Sequence, residues 1–201
     1  MACGEAHTLI LSMKTTTNGG PGESSYCVKS AGSNERYQLG ISGLKRDHIS
    51  RLFAEVPALK GRAISEIKCW NFSCCIDEKR NMYVWGALVS PPDESKATKP
   101  AALCIKQPEL VSNLKVHSIE VGLSMALAIE HKTKAPFVIG TNQYGELGLS
   151  KEEDNLILDK DSRKTFTLQE SLKDRPVEMA ALGKSGFVVA IGNAVHPQHP
   201  T

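Results

Sequence analysis

A turn sequence that recurs at a fixed interval constrains the fold of this chain more than any other feature. Residues 30–40 read SAGSNERYQLG, residues 138–148 read VIGTNQYGELG, and a shorter copy, VWG, occupies residues 84–86. The aligned glycines of the three copies are 54 residues apart, at Gly32, Gly86 and Gly140. A fixed period of this length predicts a repeat architecture, in which each unit is one supersecondary element.

A second segment, short and apolar, repeats in step with the turn. Its four copies lie at residues 3–11, 69–76, 121–129 and 182–190, and a proline precedes each of the last three, at Pro57, Pro108 and Pro176. Short apolar runs bounded by Gly, Pro, Asn and Ser are typical of β-strands. Each unit thus reads as a proline-led strand, an apolar strand and a strand that ends in the glycine turn. Three or four short strands in a repeated unit indicate an all-β fold and the blade of a β-propeller.

The two repeated segments resemble the signature of the regulator-of-chromosome-condensation (RCC-type) repeat. That signature is A-C-G-x-x-H-(S/T)-L-A-L followed by x-V-Y-S-W-G-x-N-x-x-G-Q-L-G. Residues 2–11, ACGEAHTLIL, match its first part, and residues 83–86, 31–40 and 140–148 match its second. The fourth copy has Gly186 where the family histidine would stand. The resemblance covers residues 2 to about 193 and implies an RCC-type β-propeller.

The resemblance also implies an incomplete ring, because the family propeller closes with seven blades. We divide residues 1–193 into repeats at 2–56, 57–107, 108–175 and 176–193, the last one partial, and residues 194–201 form a Pro/His-containing tail. The expected structure is an arc of about three to four blades. Its first unit should lack the strand before Cys3, which would leave exposed strand edges that another protein chain covers. Candidate partner-binding residues at these edges are Cys3, Thr8, Ile10, Val188 and Ala190.

The glycines and asparagines of the repeated segments are predicted to be structural turn residues. Glycine tolerates a positive φ, and asparagine can bond nearby backbone, so neither requires a ligand at these turns. The predicted turn residues are Gly4, Gly32, Asn34, Gly40, Gly86, Gly122, Gly140, Asn142, Gly145, Gly148 and Gly183. His7 aligns with the family histidine, which the resemblance implies packs between blades. A general base is the alternative, but no Ser, Cys or paired carboxylate lies at triad-like positions.

The segments between units are predicted to be variable linkers, at residues 41–56, 87–107 and 149–175. The third begins with the capping-box pattern Ser150–Glu153, which predicts a short helix. Loops on a rigid scaffold often bind partners, so candidate partner-binding residues here are Glu152, Glu153, Leu156 and Leu158. A solvated insertion without function is the alternative.

Composition restricts the classes of ligand and partner. The 24 basic residues nearly balance the 22 acidic ones, so no nucleic-acid partner is predicted. No apolar stretch approaches the roughly 18 residues that span a bilayer, and the first residues do not read as a secretory signal. Of the six cysteines, Cys69 and Cys74 have a spacing near that of metal ligands, but no second Cys or His pair follows. Buried free thiols are therefore predicted rather than zinc, and no cofactor is expected.

Three classes of function fit a propeller: an interaction scaffold, guanine-nucleotide exchange on a small GTPase, and an enzyme of the hydrolytic or lectin-like type. The resemblance implies exchange activity for the founding family member, but no hairpin resembles the protruding β-wedge used for it. The strand ends show neither convergent carboxylates nor a nucleophile with its base. The sequence therefore favours a non-catalytic scaffold in a cytoplasmic assembly, cytoskeletal or ciliary, with the nucleus as the alternative compartment. Other protein chains are the expected partners, and exchange on a small GTPase is the alternative function.

Overall fold

The structure is a computed structural model that describes residues 1–15, 24–87, 104–123, 125–140, 147–149, 166–183 and 188–192. In these ranges the chain forms thirteen β-strands and two short 3-10 helices, Pro57–Leu59 and Glu170–Leu172. The predicted all-β class is confirmed. Neither helix is long and apolar enough to cross a membrane. Asn142, Gly145 and the four candidate loop residues Glu152, Glu153, Leu156 and Leu158 lie outside the described residues.

The first blade is a four-stranded antiparallel sheet in chain order. Its strands are β1 (Ala2–Cys3), β2 (His7–Thr15), β3 (Ser24–Ser33) and β4 (Ile49–Glu55). Residues 3–11 are not one strand, because a tight turn in which Gly4 N–H donates to the His7 carbonyl (2.8 Å) separates β1 from β2. Ala2 then pairs with Leu9 and Cys3 with Thr8. The prediction that this unit lacks a strand before Cys3 is therefore wrong, because Ala2 and Cys3 form a short strand that pairs with β2.

The fourth strand of the first blade lies in a segment that was predicted to be a linker. β4 reads ISRLFAE and has no regular alternation of buried and exposed residues. Its register shifts against β3, so that Ala31 alone stands opposite Arg51–Phe53. Without alternation the segment has no period-two signal, which explains why sequence analysis missed the strand.

The second and third blades share one long strand. The strands of the second blade are β5 (Ile64–Cys69), β6 (Phe72–Asp77), β7 (Asn81–Ala87) and the first part of β8 (Cys104–Val121). The second part of β8 joins β9 (Met125–Glu130), β10 (Pro136–Gly140) and β11 (Thr167–Leu168) in the third blade.

The predicted boundary between residues 107 and 108 falls inside β8. Glu109 and Leu110 pair with β7 in the second blade, and pairing with β9 begins at Val116. Asn113, with φ 62, lies in the irregular stretch between Leu110 and Lys115, just before the pairing with β9 begins. Pro108 thus does not open the third blade, and Pro57 begins a 3-10 helix rather than a strand. Only Pro176 directly precedes a strand, β12 (Val177–Leu182), which pairs with β13 (Val188–Gly192) in a two-stranded fourth unit.

The hydrophobic core lies between neighbouring blades. A large cluster joins the first three blades and has Trp85 and Phe72 as its bulkiest fully buried side chains. A second cluster joins Met125, Leu127 and Ile129 of β9 to Val177 and Ala180 of β12. Burial of apolar area between blades is the main stabilising contribution in such a layered arrangement.

Candidate functional site

The repeated motif residues meet where the first blade packs on the second. His7 is the first residue of β2, and its Nε2 lies 2.7 Å from Ser73 Oγ on β6. Ser73 Oγ donates to the Gln38 carbonyl (2.9 Å), and Trp85 Nε1 on β7 donates to the same oxygen (2.9 Å). The side chains of His7, Ser73 and Trp85 and the backbone carbonyl of Gln38 are thereby joined in one buried network between the two blades. We call this network the junction.

The junction fixes the protonation state of His7. Ser73 gives its single hydroxyl proton to Gln38, so it accepts from His7, which must donate from Nε2. The other ring nitrogen, Nδ1, is buried and has no hydrogen-bond partner within the described residues. Burial lowers the pKa of His7 from 6.5 to about 4. At neutral pH the ring is therefore neutral, and at 4 % exposure it is closed to a substrate.

Asn34 organises the turn that supplies Gln38. Its Nδ2 donates to the Lys45 carbonyl (3.0 Å), and its Oδ1 accepts from the Leu39 N–H (3.3 Å). The side chain is fully buried. These bonds satisfy polar backbone groups of the turn that would otherwise be unpaired, which is a structural role.

Gly32, the second-last residue of β3, and Gly40, at the end of the turn that follows, admit no side chain. Gly32 has φ +114, and a Cβ there would lie 2.4 Å from the Ala6 carbonyl oxygen. Gly40 has φ +68, and a Cβ there would lie 2.6 Å from Trp85 Nε1, inside the junction. Both positions therefore need glycine for conformation and for space. Positive φ is also found at Gly86, Gly140 and Gly148.

The turns that begin the apolar strands contact each other from blade to blade. Glu5 N–H donates to the Trp70 carbonyl (3.2 Å), and Asn71 Nδ2 donates to the Leu123 carbonyl (2.9 Å). A Cβ on Gly4 would lie 2.2 Å from the Trp70 oxygen, and one on Gly122 would lie 3.4 Å from the Gly183 oxygen. A Cβ on Gly183 itself would meet nothing within 4 Å.

Three cysteines of the second blade are buried thiols with little reactivity. Cys69, Cys74 and Cys75 are free and buried. Burial raises the pKa of Cys69 to about 12 and also raises the pKa values of Cys74 and Cys75. Because the thiolate is the nucleophile and the metal ligand, these groups are inert at neutral pH. Over the described ranges, no group of three His, Cys, Asp or Glu could hold a metal ion.

The residues proposed for partner binding differ in their exposure and in the strands that pair with them. Thr8 and Ile10 lie in β2: Thr8 pairs with Cys3 of β1 and Ala31 of β3, whereas Ile10 pairs with Lys29 of β3 and lies beyond the residues that β1 covers. Cys3 is exposed on β1. Val188 and Ala190 pair with Leu182 and Ala180, two residues of β12 that pack toward the third blade. The two-residue β1 pairs with β2 at Thr8 and Leu9 and does not extend to Ile10, so partner binding at the edge beyond Leu9 stays a prediction.

Sequence analysis found His7 but missed its partner. In the alignment of the apolar segments, Ser73 occupies in the second unit the position that His7 occupies in the first. That alignment was the available signal, but it gives no indication that the two side chains touch. The contact depends on how the first blade faces the second, which only the tertiary structure shows.

Solved structures share the fold of the chain, although no protein-family model and no curated protein matches it. One is Prp20p of Saccharomyces cerevisiae, described with its binding properties to Gsp1p and histones. It has a TM-score of 0.67 and 18% identity, over 94% of this chain and 42% of Prp20p. Yeast RCC1 (Prp20) bound to Kap60 gives a TM-score of 0.65 and 18% identity, over 94% of this chain and 40% of the other.

Human WBSCR16 is a third neighbour, with a TM-score of 0.61 and 18% identity, over 95% of this chain and 44% of WBSCR16. The chain thus spans less than half the length of each of these proteins. Identity at this level establishes the fold alone. With its repeated glycine turns and strand order, the chain has the fold of an RCC1-type β-propeller, of which it forms an incomplete arc.

Proposed function

We propose that the chain is a non-catalytic scaffold that binds other proteins. His7 and the buried cysteines are of the residue types that act as catalytic bases and nucleophiles, but they are enclosed in packing between blades. A catalytic acid, base or nucleophile must contact its substrate, and these groups are closed to solvent. The surface, by contrast, displays apolar side chains that a partner can cover.

The observation that supports this proposal most is an apolar edge on the first blade, formed by Ile49, Leu52 and Phe53 of β4. Their exposed fractions are 66%, 81% and 46%, and they are three of the seven exposed large hydrophobic residues of the described ranges. β4 is also the last strand of its sheet. Edge strands with exposed apolar side chains are prone to pair with other chains, so this edge fits a protein partner.

Light scattering tests whether this apolar edge causes the chain to self-associate. The purified 21.8 kDa chain should form species larger than a monomer, because the exposed apolar groups associate in the absence of a partner. Leu52→Asp combined with Phe53→Asp should shift the mass toward the monomer. The matched control is Met13→Asp with Leu110→Asp, which changes two exposed apolar residues elsewhere and should leave association unchanged. A monodisperse wild-type monomer would contradict the proposed edge.

Guanine-nucleotide exchange on a small GTPase is the second candidate, favoured by the similarity to Prp20p, which is described with binding to Gsp1p. We expect the chain not to accelerate release of labelled GDP from small GTPases at equal concentration. The reason is that the chain covers only 42% of Prp20p, so a binding surface assembled around a whole propeller would be incomplete in it. Chelation of magnesium by EDTA provides the positive control for release. Acceleration that saturates at a one-to-one ratio would replace the scaffold proposal.

We propose that the protein acts in the nucleus, again from the similarity to Prp20p. Prp20p is described with its binding to histones, which favours the nucleus as the place of action over the cytoplasm. No comparison supports a cytoskeletal or ciliary location. Imaging of the tagged full-length protein would decide between nucleus and cytoplasm.

A further inference from the structure

The outer edge of β4 presents backbone hydrogen-bonding groups at alternate residues. Antiparallel strands bond through every second residue, so the bonds at the two ends of β4 fix which residues point toward β3. The His48 carbonyl accepts from the Asn34 N–H (2.9 Å), and the Val56 N–H donates to the Val28 carbonyl (2.9 Å). Counts from the two ends agree, because the bulge in β4 adds an even number of residues. The residues that point outward are Ile49, Arg51, Phe53 and Glu55.

This outward edge is complementary to itself in charge. Arg51 lies two residues before Phe53, and Glu55 lies two residues after it. An antiparallel copy of the same strand, centred on Phe53, would therefore set each arginine opposite a glutamate. Within the described residues no strand pairs with this edge, since β4 is the last strand of its sheet. Pro57, which follows β4, has no N–H and would end such a pairing.

We propose that β4 pairs antiparallel with β4 of a second copy of this chain, about a two-fold axis at Phe53. The proposal rests on the scaffold function and names the partner of the apolar edge. The pairing adds about six backbone hydrogen bonds, through the outward groups of Arg51, Phe53 and Glu55 in both copies. It also brings the exposed Leu52 and Phe53 side chains of the two copies beside each other. A two-fold contact needs a surface that is complementary to itself, as this edge is.

The charges of β4 favour this register over its neighbours. An axis at Arg51 would set two arginines opposite each other, and an axis at Glu55 would set two glutamates opposite each other, which is unfavourable. An axis at Leu52 would set Arg51 opposite Phe53 and form no ion pair. With the axis at Phe53, Glu55 lies between Lys29, its neighbour on β3, and Arg51 of the second copy. Its two oxygens can accept from both cations, so opposite charges alternate across the joined sheets.

The other ionisable groups near β4 lie outside the paired stretch. Arg46 Nε donates to the Glu35 carbonyl (2.8 Å), and Arg62 Nη1 donates to the Tyr83 hydroxyl (2.7 Å), so both arginines are already bonded within their own chain. The remaining ionisable residues of the flanking segments are exposed and carry both signs: Lys45, Asp47, His48 and Lys60. At about 0.15 M salt, exposed charges more than about 8 Å apart are largely screened.

Light scattering of the full chain over a range of concentrations, at about 0.15 M salt, tests this pairing. The wild type should approach twice the 21.8 kDa of the chain. Arg51→Glu alone should weaken dimerisation about 10-fold or more, because carboxylates then face each other at both ends of the paired stretch. Adding Glu55→Arg should restore dimerisation to within about threefold of the wild type, since both ion pairs form again with their charges exchanged.

The matched control exchanges the same charges on other turns. Lys132→Glu with Glu78→Arg changes two exposed residues of the second and third blades and should alter dimerisation less than about twofold. Because Glu55→Arg also sets a cation opposite Lys29, it costs the monomer some stability. A cross-link that leaves the charges of β4 unchanged therefore provides an independent test.

Single cysteines locate the two-fold axis. Under mild oxidation, Phe53→Cys should form a disulfide between two copies, because Cα atoms of a hydrogen-bonded antiparallel pair lie about 5.5 Å apart, within the range that a disulfide spans. Ile49→Cys should form none, because its two copies would lie more than about 20 Å apart. Wild-type chain treated in the same way shows any cross-linking through the native cysteines.

The outcomes separate this inference from the scaffold proposal. Suppose that the wild type associates and Leu52→Asp with Phe53→Asp disrupts the association, but the charge exchange restores nothing and Phe53→Cys does not cross-link. The pairing of β4 with itself is then overturned, while the apolar edge still stands as a binding surface. Cross-linking through Leu52→Cys in place of Phe53→Cys would overturn the axis at Phe53. A monodisperse wild-type monomer would overturn both this pairing and the proposed edge.

Discussion

Replacement of Gly32 by alanine should lower the free energy of unfolding by about 2–6 kcal/mol, as the sum of backbone strain and overpacking. A residue with a side chain is strained at a φ of +114, and its Cβ would lie 2.4 Å from the Ala6 oxygen and 2.7 Å from the His7 Cα. Both neighbours are backbone atoms, which cannot move aside as a flexible side chain could. Chemical unfolding of the wild type and the variant in urea gives the difference.

Gly43 supplies the matched control for this experiment. It also has a positive φ, +86, but a Cβ there would meet nothing within 4 Å. Gly43→Ala should therefore show the conformational cost alone, about 1–2 kcal/mol. The excess loss of stability for Gly32→Ala measures how closely β3 approaches the start of β2 at this glycine. If the two variants lose equal stability, the close contact between Gly32 and the start of β2 does not exist.

Acidification should destabilise the junction through His7. Its pKa falls from 6.5 to about 4 on folding because the ring is buried, so between these values the unfolded chain binds more protons than the folded one. Stability from this group is thus complete above about pH 6.5 and is lost as pH falls toward 4, by about 3 kcal/mol in total. The free energy of unfolding measured at intervals across this window should rise with pH.

Comparison with histidine variants assigns this slope, since carboxylates also titrate at the lower end of the window. His7→Gln can still donate to Ser73 but does not titrate, so it should lose the His7 share of the pH dependence. His48→Gln, a change at an exposed histidine, should keep the wild-type slope. A slope in His7→Gln that equals that of the wild type would mean that the folded protein does not hold His7 in its neutral form.

The sequence by itself determined the local elements of this protein. The spacing of Gly32, Gly86 and Gly140 predicted repeated units, and all three glycines have a positive φ in the structure. Glycine takes such φ values at low cost because it has no side chain, which is a local property of the residue. It can therefore be predicted from the sequence. The all-β class and the RCC-type propeller followed from the same repeated segments and are confirmed by strand order and by the solved structures.

Tertiary structure decided what depends on contacts between distant residues. β4 has no alternating pattern, and β8 serves two blades at once. Each is a strand because of the strands beside it, so no local signal marked it. The bond from His7 to Ser73 joins residues 66 positions apart, and the bond from Trp85 Nε1 to the Gln38 carbonyl joins residues 47 positions apart. Their proximity follows from the packing of one blade on the next, which is a property of the folded chain and not of any segment of it.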